Sequence, residues 1–140
     1  MKLHGVNHLC FSVANLEKSI IFYQEALGAK LLVQGRSLAY FDLNGLWLAL
    51  NQEDIERRDI PRTYTHIAFT IEENDWDGWM MKLQQAGAEV LEGRIRDEKD
   101  ARSVYFLDPD GHMFEFHTGT LEDRMNYYKE DKPHMQFFDE

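Results

Sequence analysis

The chain has a single cysteine, Cys10, in 140 residues, so it can form no internal disulfide, and a reducing cytoplasm is the expected location. Long apolar runs are also missing. No stretch approaches membrane-spanning length, and the opening MKLHGVNHL has neither the apolar core nor the length of a secretory signal. Positive charge is short as well. Fifteen Lys and Arg against 25 Asp and Glu leave a formal charge of −10, which argues against non-specific binding to nucleic acid or membranes, both polyanionic. A small anionic substrate is not excluded, because it senses only the local field. Proline occurs three times. Pro61 closes a charged stretch and Pro133 limits a terminal helix. Hydrophobic residues at 44% and charged residues at 29% are ordinary for a single globular domain large enough to bury a core without staples.

What the chain does have is a phrase written twice. Residues 7–13 read NHLCFSV and residues 65–71 read THIAFTI. Each is followed by a helix-like run ending in a matching phrase, ALGAKLL at 26–32 and QAGAEVL at 85–91. Each half closes on an aromatic turn and strand, YFDLNGLWLAL at 40–50 and YFLDPDGHMFEF at 105–116. In the first half Leu9, Phe11 and Val13 alternate with His8, Cys10 and Ser12, the period of a strand with two unlike faces. Asn15 can cap a helix with Leu16, Ile20, Tyr23 and Leu27 at helical spacing, ended by Gly28. Strands are expected near 30–34, 37–43 and 46–51, the last hairpin turning at Asn44-Gly45.

The second half repeats this order. Ile67, Phe69 and Ile71 alternate with His66, Ala68 and Thr70. Asn74 or Asp75 is the expected cap of a helix carrying Trp76, Met80 and Leu83 and ended by Gly87. Strands follow near 88–92, 103–108 and 113–117, with a turn at Asp110-Gly111. The expectation is one α+β domain of two βαβββ modules, about 4–52 and 63–118, joined by a charged linker over about 52–62. A tail over about 119–140 opens with Thr120 and Asp123 in capping-box spacing. The modules are expected to form paired sheets, helices outside and a cavity within.

Aligning the two copies defines four equivalent positions: His8, Ala49, His66 and Glu115. Two imidazoles and a carboxylate suit a divalent ion such as Mn, Fe, Co, Ni or Zn, and a methyl group at the fourth position leaves coordination open for substrate oxygen. A lone strand histidine is more often structural. Two at equivalent places in a repeat, with an inward glutamate whose burial a cation would offset, point to a metal. His117 shares the face of Glu115 one step on and is a minor candidate to support it from behind. His4, His112 and His134 have no repeat relationship.

The paired βαβββ pattern resembles the vicinal oxygen chelate, or glyoxalase/bleomycin resistance/dioxygenase-like, superfamily. NHLCFSV, AYFDLNGLWLALN, YTHIAF, YFLDPDGHMFEFHTGTL and RMNYYKEDKPHM together resemble the FosB-type metallothiol transferases over about residues 5–137. The DPDG turn is shared widely, whereas the ending HTGTLEDRMNYYKEDKPHM is far more specific. This resemblance implies an enzyme that uses Mg2+ or Mn2+ to bind fosfomycin and adds bacillithiol or L-cysteine to its epoxide, conferring resistance. His8, His66 and Glu115 become the metal ligands, with Glu115 also given a proton-handling role. Tyr40, Trp47 and Asn51 match the family's pocket positions, and homodimers with modules paired across subunits are implied.

A phosphonate needs cationic and hydroxyl partners. Arg94 and Arg124 are the expected guanidinium donors, ahead of Arg96 and Arg102, and Tyr64 and Tyr105 supply hydroxyls. Cys10 is read as a thiol lining the cavity near the incoming co-substrate, since an external thiol is the nucleophile. The rival readings are an extradiol-type Fe(II) dioxygenase, which would want a further acid–base histidine, and a metal-independent drug-binding protein, which would not need His8, His66 and Glu115.

Overall fold

The repeat folds as written. In the computed structural model, which describes residues 1–57, 62–92 and 101–138, the first module runs β1 (His8–Val13), α1 (Leu16–Leu27), β2 (Lys30–Gln34), β3 (Leu38–Leu43) and β4 (Leu46–Gln52). The second runs β5 (Ile67–Thr70), a 3-10 turn (Glu73–Asp75), α2 (Trp76–Gln85), β6 (Glu89–Leu91), β7 (Ser103–Leu107) and β8 (Met113–His117). Helix α3 (Leu121–Asp131) follows. Each module forms one four-stranded sheet, ordered β1-β4-β3-β2 and β5-β8-β7-β6, with the first strand parallel to the last and the other pairs antiparallel.

Local chemistry explains the boundaries. The Asn15 side chain accepts from the Lys18 N–H to start α1, and Gly28 ends it in the left-handed region at φ 66°. Asn44 and Gly45 both take positive φ, the backbone of a tight two-residue hairpin turn. At Thr120 the capping box is complete, and Asp123, accepting the Thr120 N–H, has its carboxyl pKa held below the usual value. The expected cap of α2 is not realised: Asp75 makes no capping bond, and the 3-10 turn leads directly into the helix instead. Strand β5 begins one residue after His66, so that histidine sits at the mouth of its strand.

One face of each sheet is covered by its helix. Val13, Ala39, Phe41, Leu48 and Leu50 beneath α1 join Phe106, Phe114, Phe116 and Leu83 of the second module in one core. Helices α1 and α2 pack on each other across the junction, and Phe11 meets the Phe114 ring edge-on at 5.5 Å. Among the described residues, no helix makes more than weak contact with the other face of either sheet.

A buried carboxylate fastens the junction. Asp108 Oδ2 accepts from the Tyr23 hydroxyl at 2.6 Å and lies 2.7 Å from His112 Nδ1; Oδ1 accepts from the backbone N–H of Asp110 at 3.0 Å and of His112 at 2.8 Å. Burial, with Asp108 alongside, pushes the Tyr23 phenol above its usual range. The bond to Asp108 raises His112 above its usual 6.5; the charges of Asp108 and Asp110 add to this, while burial and Arg57 oppose it. Removing the Tyr23 hydroxyl (Tyr23→Phe) is expected to cost about 1.5–3 kcal/mol, the range for a hydrogen bond to a charged group, measured by urea unfolding. Because the folded state raises the His112 pKa, its contribution is fully present below 6.5 and is lost as pH rises through the folded value. Unfolding free energies measured on the alkaline side of 6.5 should therefore fall less steeply in His112→Gln than in the parent chain.

Candidate metal site

The strand registers decide which side chains share a face. In sheet one His8 pairs with Trp47, Cys10 with Ala49 and Ser12 with Asn51, while Tyr40 lies opposite Ala49 on the other side. In sheet two Ala68 pairs with Glu115 and Thr70 with His117, with Tyr105 opposite Glu115 and Ser103 opposite His117. These are the helix-free faces. The repeat therefore makes Ala49 the counterpart of Glu115, Tyr40 of Tyr105, and Asn51 of His117.

Sheet two carries a tightly made pair. His66 Nε2 stands 3.0 Å from Glu115 Oε1, and the glutamate side chain is only 7% exposed. His66 Nδ1 lies 2.6 Å from the Tyr64 carbonyl oxygen, which can only accept, so Nδ1 carries the proton. Nε2 then directs its lone pair at an oxygen that is also an acceptor. Two acceptors at this separation attract only when positive charge lies on or between them, from a proton or a metal ion. The residues thus fit a divalent cation. The Tyr64 and Tyr105 rings flank the imidazole edge-on at 5.0 and 5.2 Å, and their hydroxyls meet at 2.7 Å.

Sheet one carries the other histidine. His8 Nδ1 is 2.7 Å from Asn7 Oδ1, which again leaves Nε2 for a ligand, and the ring stacks against Trp47 at 4.4 Å. Tyr40 packs edge-on to Trp47 at 5.2 Å. Cys10 is exposed and its sulfur accepts from Asn51 Nδ2 at 3.3 Å. His8 is not joined to His66 and Glu115 within the chain: among the described residues no three His, Cys, Asp or Glu side chains converge as a metal-binding group.

The arginines separate. Arg94 and Arg96 lie outside the described residues. Arg124, half-buried on α3, donates to the Tyr128 hydroxyl at 3.5 Å and lies over that ring. Arg102 lies 4.1 Å over the Trp76 ring and donates to Glu73 at 3.0 Å, a structural placement on the flank of α2. His117, given little weight in the sequence, approaches Glu115 Oε2 at 3.3 Å; its signal was the two-residue spacing that keeps it on the Glu115 face. A separate groove of about 450 Å3, lined by Asn15, Gln34, Arg36 and Gln52 among others, contains neither histidine. Two of its polar side chains, Asn15 and Gln52, accept from backbone N–H groups of α1.

Comparison with known proteins adds relatives along the full chain. The model of the Glyoxalase/Bleomycin resistance protein/Dioxygenase superfamily matches residues 5–116. A metallothiol transferase FosB of Lysinibacillus sphaericus is 62% identical over 139 residues, covering 99% of each chain. Another from Staphylococcus saprophyticus is 54% identical, covering 98% of this chain and 91% of that one. Among solved structures, the fosfomycin resistance protein FosX of Listeria monocytogenes with Mn(II) and sulfate is 33% identical, with a TM-score of 0.81, covering 91% of this chain and 99% of its own. A FosX of the same organism, mutated at one glutamate, holds Mn(II) and 1S,2S-dihydroxypropylphosphonic acid at 34% identity and TM-score 0.80, with the same coverage of each chain.

The hydrogen bonds of His8 and His66 fix which nitrogen bears the proton. Long-range 1H–15N correlation spectra are expected to show protonated Nδ1 in both rings, and a neutral Nε2–H form of His66 would contradict the site described.

Proposed function

We infer the following function for a chain that belongs to the glyoxalase/bleomycin resistance protein/dioxygenase superfamily and, within it, to the FosB-type metallothiol transferases: it adds a small thiol to fosfomycin, an enzyme activity that confers resistance to the antibiotic. The observation that carries this reading is the His66–Glu115 pair, an imidazole Nε2 facing a carboxylate oxygen at 3.0 Å on a wall that also bears tyrosine hydroxyls. Mn2+ or Mg2+ is our choice of ion, and bacillithiol or L-cysteine our choice of thiol. The Mn(II) in FosX supports the first.

In this reading His8, His66 and Glu115 hold the ion. Once bound, it supplies Lewis-acid stabilisation to negative charge developing on the epoxide oxygen. The thiol sulfur forms a bond to an epoxide carbon as that carbon's bond to oxygen breaks, and the thiol proton ends on the oxygen. The chain's own part is orientation. In this proposal the Tyr64 and Tyr105 hydroxyls donate to phosphonate oxygens, with Arg94 and Arg124 as the charge partners. Tyr40 and Trp47 give an apolar wall, while Cys10 and Asn51 line the thiol's approach. Glu115, committed to the cation, is a weak candidate for free base.

The two half-sites lie on separate faces of one chain, which supports a homodimer in which His8 of one copy meets His66 and Glu115 of another. Among the described residues no helix is long and apolar enough to cross a membrane, and with the lone cysteine this agrees with a cytoplasmic location. No observation favours the dioxygenase or metal-free binding readings over thiol transfer.

Incubating the protein with fosfomycin, Mn2+ and a panel of thiols, with products read by mass spectrometry, is expected to give a one-to-one thiol adduct. Binding of fosfomycin with no adduct under any thiol and metal would defeat the proposal. Glu115→Ala should keep the fold by circular dichroism and lose turnover by at least about a hundredfold. The shared site has its own check. Mixing refolded His8→Ala and Glu115→Ala chains should restore roughly a quarter of parental activity, since half of randomly formed dimers are mixed and each holds one intact site of two. Mixtures as inactive as either variant alone would place all three ligands in one chain.

A further inference from the structure

The Glu115 carboxylate has two oxygens, and the structure gives them different neighbours. Oε1 faces His66 Nε2 at 3.0 Å, whereas Oε2 faces His117 Nδ1 at 3.3 Å. The His117 ring is itself seated. Its Nδ1 also lies 3.3 Å from the Ser103 hydroxyl. Its far edge rests on Gly119, where an added Cβ would come within 3.0 Å of Nε2 and 2.5 Å of the Ala101 methyl. Only a residue without a side chain lets the backbone approach that closely, so the ring is backed by main chain on one side and faces the carboxylate on the other. The repeat underlines the arrangement, because the counterpart of His117 is Asn51, whose N–H donates to Cys10. Two residues past the alignment position, each module places one nitrogen-bearing side chain on that face.

We propose that His117 is a positioning residue for Glu115: its Nδ1–H holds Oε2, so that a single carboxylate oxygen, Oε1, is presented beside His66 to the cation. A carboxylate left to rotate can offer both oxygens and occupy a coordination position that substrate oxygen needs. Partners that hold metal ligands commonly change metal affinity 10- to 100-fold when removed. This inference rests on the metal reading above and adds a determinant to it, the orientation of the carboxylate.

The test uses the full chain and Mn2+ alone, with affinity from titration of the free-ion EPR signal and the bound-ion spectrum recorded at saturation. Three variants separate position from polarity. His117→Asn keeps a donor where Nδ1 stands, His117→Gln moves it to where Nε2 stands, and His117→Ala removes it. Wild type and His117→Asn are expected to bind alike with the same bound-ion spectrum. His117→Gln and His117→Ala should bind about 10- to 100-fold more weakly with an altered zero-field splitting. Equal affinity and spectra across all four proteins would overturn the proposal, as would His117→Asn behaving like His117→Gln. If His117→Ala does not fold, the Asn-against-Gln comparison decides alone. A wild type that binds no Mn2+ defeats the metal reading as well, a result distinct from either of these.

Discussion

The buried Asp108 carboxylate is the constraint on which the remaining geometry depends. Four donors converge on its two oxygens: the Tyr23 hydroxyl, two backbone N–H groups and the His112 ring. Only an ionised carboxylate has acceptor sites for all four, and leaving any donor buried and unpaired costs about 1–3 kcal/mol. The consequences run in two directions. Toward the turn, the bonds to Asp110 and His112 close the loop between β7 and β8, which fixes where β8 starts and hence which residues face outward. A slip of one residue would exchange Glu115 for Phe114 on the open face. Toward the other module, the Tyr23 bond ties α1 to that turn, and Ala14 N–H donates to Asp110 Oδ1 at 3.0 Å nearby. The first module closes its equivalent hairpin with less, a two-residue turn and one bond from Gly45 N–H to Asp42. The heavier fastening belongs to the module that carries Glu115.

The repeat supplies a scaffold, and its departures from symmetry supply the chemistry. Tyr40 and Tyr105 occupy matching places but have different partners, one against Trp47 and the other bonded to Tyr64. Cys10 is answered by Ala68, Ala49 by Glu115 and Asn51 by His117. One face thus carries His8 with a thiol and an aromatic wall, and the other His66 and Glu115 with tyrosine hydroxyls.

Most of the fold was legible because each signal was local. Periodicity of two gave the strands, Asn15 and Gly28 bounded α1, and Thr120 with Asp123 opened α3. The start of α2 was not legible. Asn74 and Asp75 have the composition of a cap, but a 3-10 turn satisfies the first N–H groups differently, and residue type alone cannot distinguish the two. For the site, alignment of the copies found His66 and Glu115, whose contact the structure shows. It could not show that His8 lies apart from them, because equivalence in a repeat says nothing about whether two faces of one chain meet. The arginines were the least legible. A guanidinium reaches far enough to stack on Trp76 or Tyr128 as readily as to line a cavity, and sequence spacing does not choose.

The open faces also explain how a chain with half-sites can remain well folded. Residues at their centre are small or polar, such as Cys10, Ser12, Ala68 and Thr70, and water satisfies them without cost to the core. The aromatic groups stand around them: Trp47 is 39% exposed and Tyr64 50%. Covering a large apolar side chain contributes about 1.5–3 kcal/mol, so the rim offers a reward for burial that the centre lacks. In the proposed homodimer, a second copy related by a two-fold axis would place one sheet's face over the other's twice, so that both sites form together. Such a closure would bring the sparsely filled centres together and leave the proposed phosphonate and thiol their space. Filling Ala49 with a longer ligand would occupy that space from within. In the proposed site the methyl group there would serve the substrate as much as the metal, since it limits the chain's claim on the cation and leaves room for the reacting atoms.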